Sequence, residues 1–206
     1  MQAGEGCVLS VHVVVFGKGL PRLEHFLERE LKAWFAAHDV DARVHVTHYD
    51  VRIDALDMDR HQLASGPFLH FLDVFDPNDV DSLKLGIVGD DLFSDSHATL
   101  NFIFGEARMN GSSCVISLAR LDPRFYGLVH DERRYHERAL KETTHELGHV
   151  LGLEHCDDVR CIMHFSNCIE DTDIKRVQPC TACAERLKKN LKKRVSFTRS
   201  RESGPD

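Results

Sequence analysis

The stretch Thr144 to Cys183, THELGHVLGLEHCDDVRCIMHFSNCIEDTDIKRVQPCTAC, decides how the rest of the chain is read. His145 and His149 stand four residues apart, so on a helix both imidazoles leave the same face and can share one ion. Glu146 lies between them in sequence, placed to approach a metal-bound water without ligating the metal. Gly152 follows His149 by three residues, and His155 follows Gly152 by three more. A glycine can take the left-handed conformation that ends a helix, which lets the chain turn back and deliver a third imidazole. Three histidines with one open position make a catalytic zinc site rather than a closed structural one. An ordinary solvated helix with stray histidines is the competing reading in a chain with 14 of them, and the added Gly152 and His155 argue against it.

HELGHVLGLEH resembles the long zinc signature of the metzincin metalloproteases, HExxHxxGxxH, at every fixed position. Cys156, Cys161, Met163, Cys180 and Cys183 follow, and with them the chain resembles the archaemetzincins, a metzincin branch with four cysteines around a second zinc. The resemblance implies two zinc ions per chain, a catalytic one on His145, His149 and His155 and a structural one on Cys156, Cys161, Cys180 and Cys183. It implies Glu146 as general base and acid in peptide-bond hydrolysis, and Met163 as the methionine turn packed beneath the histidines. The cysteine spacing agrees, because Cys180-Thr-Ala-Cys183 is a zinc knuckle and Cys156 and Cys161 supply a looser pair; Cys168 is left over. A zinc held there would pin the loop that carries His155 and Met163. Some metzincins carry a tyrosine two residues beyond the methionine; here that position is Phe165, so a further oxyanion stabiliser is unassigned.

Composition sets the frame. At 206 residues the chain is long enough for one well-buried core, and 42% hydrophobic with 29% charged residues describes a soluble globular protein. A net charge of -7 argues against a nucleic-acid partner, and no apolar run reaches the length of a membrane span. The apolar run Val8–Phe16 lacks a preceding basic region and contains His12, so it reads as a strand and not a signal peptide. Seven cysteines without such a signal point to a cytoplasmic protein whose clustered thiols bind metal, with Cys7 and Cys114 as buried hydrophobes.

Along the chain, Val8–Phe16 predicts a strand buried on both faces, and Pro21 opens a helix to about His38. Ala42–Thr47 alternates as a second strand, and Asp54–Ser65 reads as a helix ended by Gly66 and Pro67. Pro67–Phe75 fits a helix or a strand. Leu85–Val88, Asn101–Ala107 and Cys114–Leu121 read as the third to fifth strands, with a hairpin at Asn110-Gly111. A long helix from about Asp131 to Leu151 then carries the zinc motif. The expected fold is α+β with an α/β-type upper half: a metzincin-like mixed sheet of about five strands, an active-site helix and a small C-terminal zinc-stabilised subdomain. The resemblance divides the chain into a peptidase domain at 1–184, with the sheet and active-site helix at 1–152 and the third ligand, methionine turn and four-cysteine zinc subdomain at 153–184. A basic C-terminal helix or tail at 185–206 follows, read as a solvated terminal helix that frays near Ser200 to Asp206.

By the same resemblance the fourth strand is the exposed antiparallel edge of the cleft, and Phe104, Gly105 and Glu106 hold an extended peptide by β-augmentation. The expected partner is a peptide or protein substrate, with neither membrane nor nucleic acid, and the chain is expected to act as a monomer. A non-enzymatic zinc-stabilised binding module with a vestigial histidine site is the alternative; the intact Glu146 speaks against it, since a binding module needs no acid–base carboxylate at this spacing.

Overall fold

The run of β-branched residues at Val11, Val13, Val14 and Val15 forms β1, Leu9–Phe16, whose valines are all buried in the computed structural model of the protein. The structure describes residues 8–50, 53–76, 79, 81–97 and 99–202, the side chains of 197–202 excepted; Cys7 lies outside them. Being apolar on both faces suits β1 to an inner position. It pairs in parallel with β2, Ala42–Tyr49, on one side and with β5, Leu83–Val88, on the other.

Between these strands run α1, Pro21–Ala36, a hairpin of β3, Leu56–Asp57, and β4, Gln62–Ala64, and then α2, Ser65–Val74. The chain continues through β6, Leu92–Phe93, β7, Gly105–Ala107, and β8, Ser113–Ser117, into α3, Glu132–Val150, α4, Ile169–Ile174, and α5, Thr181–Glu202. The main sheet has five strands in the order β2-β1-β5-β8-β7, all parallel except β7, which runs antiparallel to β8 at the edge. A small three-stranded sheet, β3-β4-β6, was not foreseen.

Helices cover both faces of the main sheet. Leu23, Leu27, Leu31, Trp34 and Phe35 of α1 and Leu140, Leu147 and Val150 of α3 pack with Val11, Val13, Leu85 and Ile116. Phe68, Leu69 and Leu72 of α2 pack with Val14, Val88 and Val115, whose side chains point the other way because strand residues alternate.

Several elements differ from the sequence reading. Asp54–Ser65 is not a helix: the Asp57 carboxylate accepts from the N–H groups of Asp59 and Arg60, and His61 has a φ of 53°, so the chain makes a turn and a hairpin. Gly66 and Pro67 do not end a helix but lie in the first turn of α2, where proline's missing N–H costs nothing. Of Asn101–Ala107 only Gly105–Ala107 pairs with β8, while Ile103 bridges to Leu92. The fifth strand stops at Ser117, and Ala119–Leu121 turns as a 3-10 helix. The basic terminal helix is not merely solvated: Leu187 and Leu191 are fully buried, Asn190 donates to the Leu151 carbonyl at 2.8 Å, and Arg194 donates to the Gly111 carbonyl at 2.7 Å. α5 thereby clamps the end of α3; of the stretch expected to fray, Ser200 to Glu202 still belong to α5, and residues 203–206 lie outside the described residues.

Candidate active site

Asp131 caps α3 by accepting from the Arg134 N–H, and the helix runs unbroken through His145, Glu146 and His149. Gly152, at a φ of 82°, ends it, and His155 returns to the same point. Nε2 of His149 lies 3.2 Å from Nε2 of His145 and 3.2 Å from Nε2 of His155. Nδ1 of His145 meets the Ile162 carbonyl and Nδ1 of His149 the Leu153 carbonyl, each at 2.7 Å. A nitrogen facing a carbonyl must carry the proton, so both Nε2 atoms of these neutral rings present bare lone pairs. Burial pushes all three imidazole pKa values down, His145 well below the usual range and His155 to about 4, where His149 and Lys175 add to the effect. These two lone pairs, with Nε2 of His155 closing on the same point, make a donor set that a cation there would satisfy. Tetrahedral zinc at about 2.0–2.1 Å from each nitrogen spaces them about 3.3–3.4 Å apart, so the donor set fits that ion.

Two glycines bring the surroundings against these rings. A Cβ on Gly148 would fall 2.4 Å from Sδ of Met163, so the methionine rests directly on the backbone of α3 between the two helical histidines. A Cβ on Gly105 would fall 2.7 Å from Oε1 of Glu146, so the edge strand β7 passes against that carboxylate. Glu146 is only 4% exposed, and burial, with Glu142 and Glu106 nearby, raises its pKa well above the ordinary value. Phe104, Gly105, Glu106, Glu146 and the three histidines all line one cavity of about 580 Å³. Phe165 lines it too, its ring 5.0 Å from that of His155.

The second cluster is thiol. The sulfurs of Cys156, Cys161, Cys180 and Cys183 lie within 4.8 Å of one another, and those of Cys156 and Cys180 are 3.8 Å apart. Tetrahedral zinc with Zn–S near 2.3 Å puts sulfurs about 3.8 Å apart, so this set also fits. The backbone joins the two clusters: the Cys156 N–H donates to the Met163 carbonyl at 2.9 Å, and the His164 ring bonds the Cys156 carbonyl at 2.7 Å. Cys168 stays outside, exposed at the start of α4, and Cys114 is buried in β8.

The sequence reading missed a buried ion pair behind the histidines. Lys175 Nζ lies 3.5 Å from Oε1 of Glu142, and neither side chain is more than 3% exposed. Glu142 precedes Glu146 by one helical turn, a spacing visible in the sequence, but nothing local marks Lys175 as buried.

Residues 45–189 match the description of peptidase family M54. The archaemetzincin of Pyrococcus abyssi is 41% identical over 81% of this chain and 87% of its own length. The archaemetzincin of Pyrococcus horikoshii is 45% identical over 66% of this chain and 71% of its own. The crystal structure of the archaemetzincin of Methanopyrus kandleri superposes with a TM-score of 0.77 at 31% identity, covering 91% of this chain and 98% of that one.

Proposed function

This chain belongs to peptidase family M54, the archaemetzincins, and is a zinc metallopeptidase; from that premise we propose that it hydrolyses peptide bonds with Glu146 as general base and acid. The observation that carries the mechanism is the convergence of three Nε2 atoms, those of His145 and His149 bare, beside the buried Glu146 carboxylate in one cavity. His145, His149 and His155 would hold the catalytic zinc. When bound, zinc supplies a Lewis acid that acidifies water and polarises a carbonyl. Glu146 accepts a proton at its carboxylate and returns it to the leaving amine. β7 has a neighbour on one side only, so its free N–H and C=O groups hold an extended peptide, with Phe104, Gly105 and Glu106 as the contacts. Met163 supports the histidines from below. The non-enzymatic alternative is set aside, because the family is one of peptidases.

The same proposal includes a second, structural zinc on the four cysteines, a reducing cytoplasm that keeps those thiols free, and a monomer with no nucleic-acid partner. Among the described residues no helix is long and apolar enough to cross a membrane. Elemental mass spectrometry on chain purified without chelator checks the metals: two zinc ions are expected, falling to one in Cys180→Ser. A single zinc that disappears in that variant would leave the histidines without metal and overturn the mechanism.

A further inference from the structure

On the β7 side the cavity is walled by Phe102, Ile103 and Phe104, with the polar His97, Asn101 and Glu106 among them. On the opposite side the wall is polar, made of Glu142 from α3 and Ser166 and Asn167 from the segment after Phe165. Glu142 is the unusual member, because its side chain is only 3% exposed and yet lines the cavity.

Its first carboxylate oxygen is fully engaged. Oε1 accepts from the Thr172 hydroxyl at 2.9 Å and faces Lys175 Nζ at 3.5 Å. Lys175 is fixed in turn by donating to the His164 carbonyl at 3.2 Å. Among the described residues, no hydrogen bond reaches Oε2 of Glu142. Oε2 therefore keeps its acceptor sites open on the side where Glu142 lines the cavity, and a bound donor can take them. Asn167 on the same wall can both donate and accept, and the Ser166 hydroxyl, 3.2 Å from that of Thr172, extends the polar surface.

Resting on the peptidase reading above, we propose that Glu142, Ser166 and Asn167 form a side-chain subsite that selects a neutral hydrogen-bond donor, an amide or hydroxyl residue such as glutamine, next to the cleaved bond. A basic side chain is disfavoured on this wall, because Lys175 already balances Glu142 there; the cavity's other carboxylates, Glu106 and Glu146, lie on the β7 side. An aliphatic side chain would displace the water that reaches Oε2 from the cavity without supplying a donor, and is disfavoured for that reason. Glu142 is thus a specificity residue, and Lys175 is a positioning residue that sets which donor it accepts.

The test is a competition between peptides, run on the zinc-loaded full chain with the residue on each side of the cleaved bond varied in turn and products read by mass spectrometry. At one of the two positions, glutamine is expected to be cleaved about tenfold faster than leucine or lysine. In Lys175→Met the carboxylate loses its balancing charge, and lysine should overtake glutamine. That variant leaves a buried charge and is the one at risk of misfolding. The double variant Glu142→Leu/Lys175→Met removes both charges together and avoids that penalty; in it leucine should overtake glutamine. Ratios within each tube are read, so a general loss of rate does not enter. The same ratios as dissociation constants of labelled peptides in a Glu146→Gln background need no turnover at all. Glutamine and leucine within twofold in the parent, or a glutamine preference that survives the double variant, overturns the subsite alone. A zinc-loaded parent that cleaves no peptide overturns the hydrolytic mechanism and takes the subsite with it.

Discussion

The two metal clusters sit on adjoining loops, yet they are built on opposite plans. The histidine cluster is made by the protein: α3 spaces two rings, backbone carbonyls fix their tautomers, and burial keeps all three neutral and ready for an ion. The cysteine cluster is gathered from two loop residues, Cys156 and Cys161, together with Cys180 and Cys183 at the start of α5. Burial raises the pKa of Cys161 and Cys183, so these thiols must give up protons as they take a cation. The difference teaches where each ion's free energy goes. On the proposed reading, binding at the histidines would leave the fold as it is, with one side open to the cavity, whereas binding at the cysteines would close the C-terminal part of the chain.

The largest expected effect separates chemistry from structure at the first cluster. Glu146→Gln should lower turnover by about 10³-fold, within the range general acid–base groups contribute, while zinc content and melting temperature stay at parental values. Unchanged turnover would remove Glu146 from the mechanism. At the second cluster the balance should reverse. Cys183→Ser exposes the other three thiols to a site without its full ligand set, and the melting temperature should drop by on the order of 10 °C in calorimetry. A variant that melts with the parent would mean that packing through Leu187 and Leu191, not metal, holds α5 in place.

Most of the histidine cluster was legible in the sequence because a helix converts spacing into geometry: four residues apart is one face, and Gly152 announces the return. The cysteine cluster was legible through short spacing of another kind, the Cys-x-x-Cys pair. What escaped depends on partners distant in sequence. Lys175 carries no local mark of burial, and its carboxylate partner lies 33 residues earlier, at Glu142. The hairpin at Leu56–Ala64 was read as a helix because its turn is set by one aspartate side chain and a left-handed His61, features that leave the hydrophobic pattern ambiguous. The edge strand was placed correctly, but its length was overestimated, since Ile103 departs to pair with Leu92.

Two glycine substitutions sharpen the contrast on an intermediate scale. Gly105→Ala drives a methyl into the Glu146 carboxylate, and a displaced acid–base group should cost about ten- to a hundredfold in turnover with little change in stability. Gly148→Ala meets the Met163 sulfur instead, and overpacking beneath the histidines should cost about 1–3 kcal/mol in denaturant unfolding. If Gly105→Ala lost stability and kept its rate, the strand would be a packing element and not the wall of a working cleft.

The smallest effect probes the hinge between the two clusters. Gly152 has a φ of 82°, a conformation that costs an alanine about 1 kcal/mol, and a Cβ there would fall 2.2 Å from Oδ1 of Asn110. Asn110 is a surface side chain and can swing aside, so the strain stays near that figure and the chain should fold. Because His155 follows three residues later, any relaxation of the hinge moves the third imidazole away from the other two, whereas Cys161, Cys180 and Cys183 are held by α5 and by the Cys161–Cys180 contact at 3.2 Å. Dialysis against a graded chelator series should therefore strip zinc from the histidine cluster of Gly152→Ala at lower chelator concentration than from the parent, with the cysteine zinc retained in both. Loss of both ions in step would show that the clusters form one cooperative unit, and the division between a protein-made site and a metal-made one would fall.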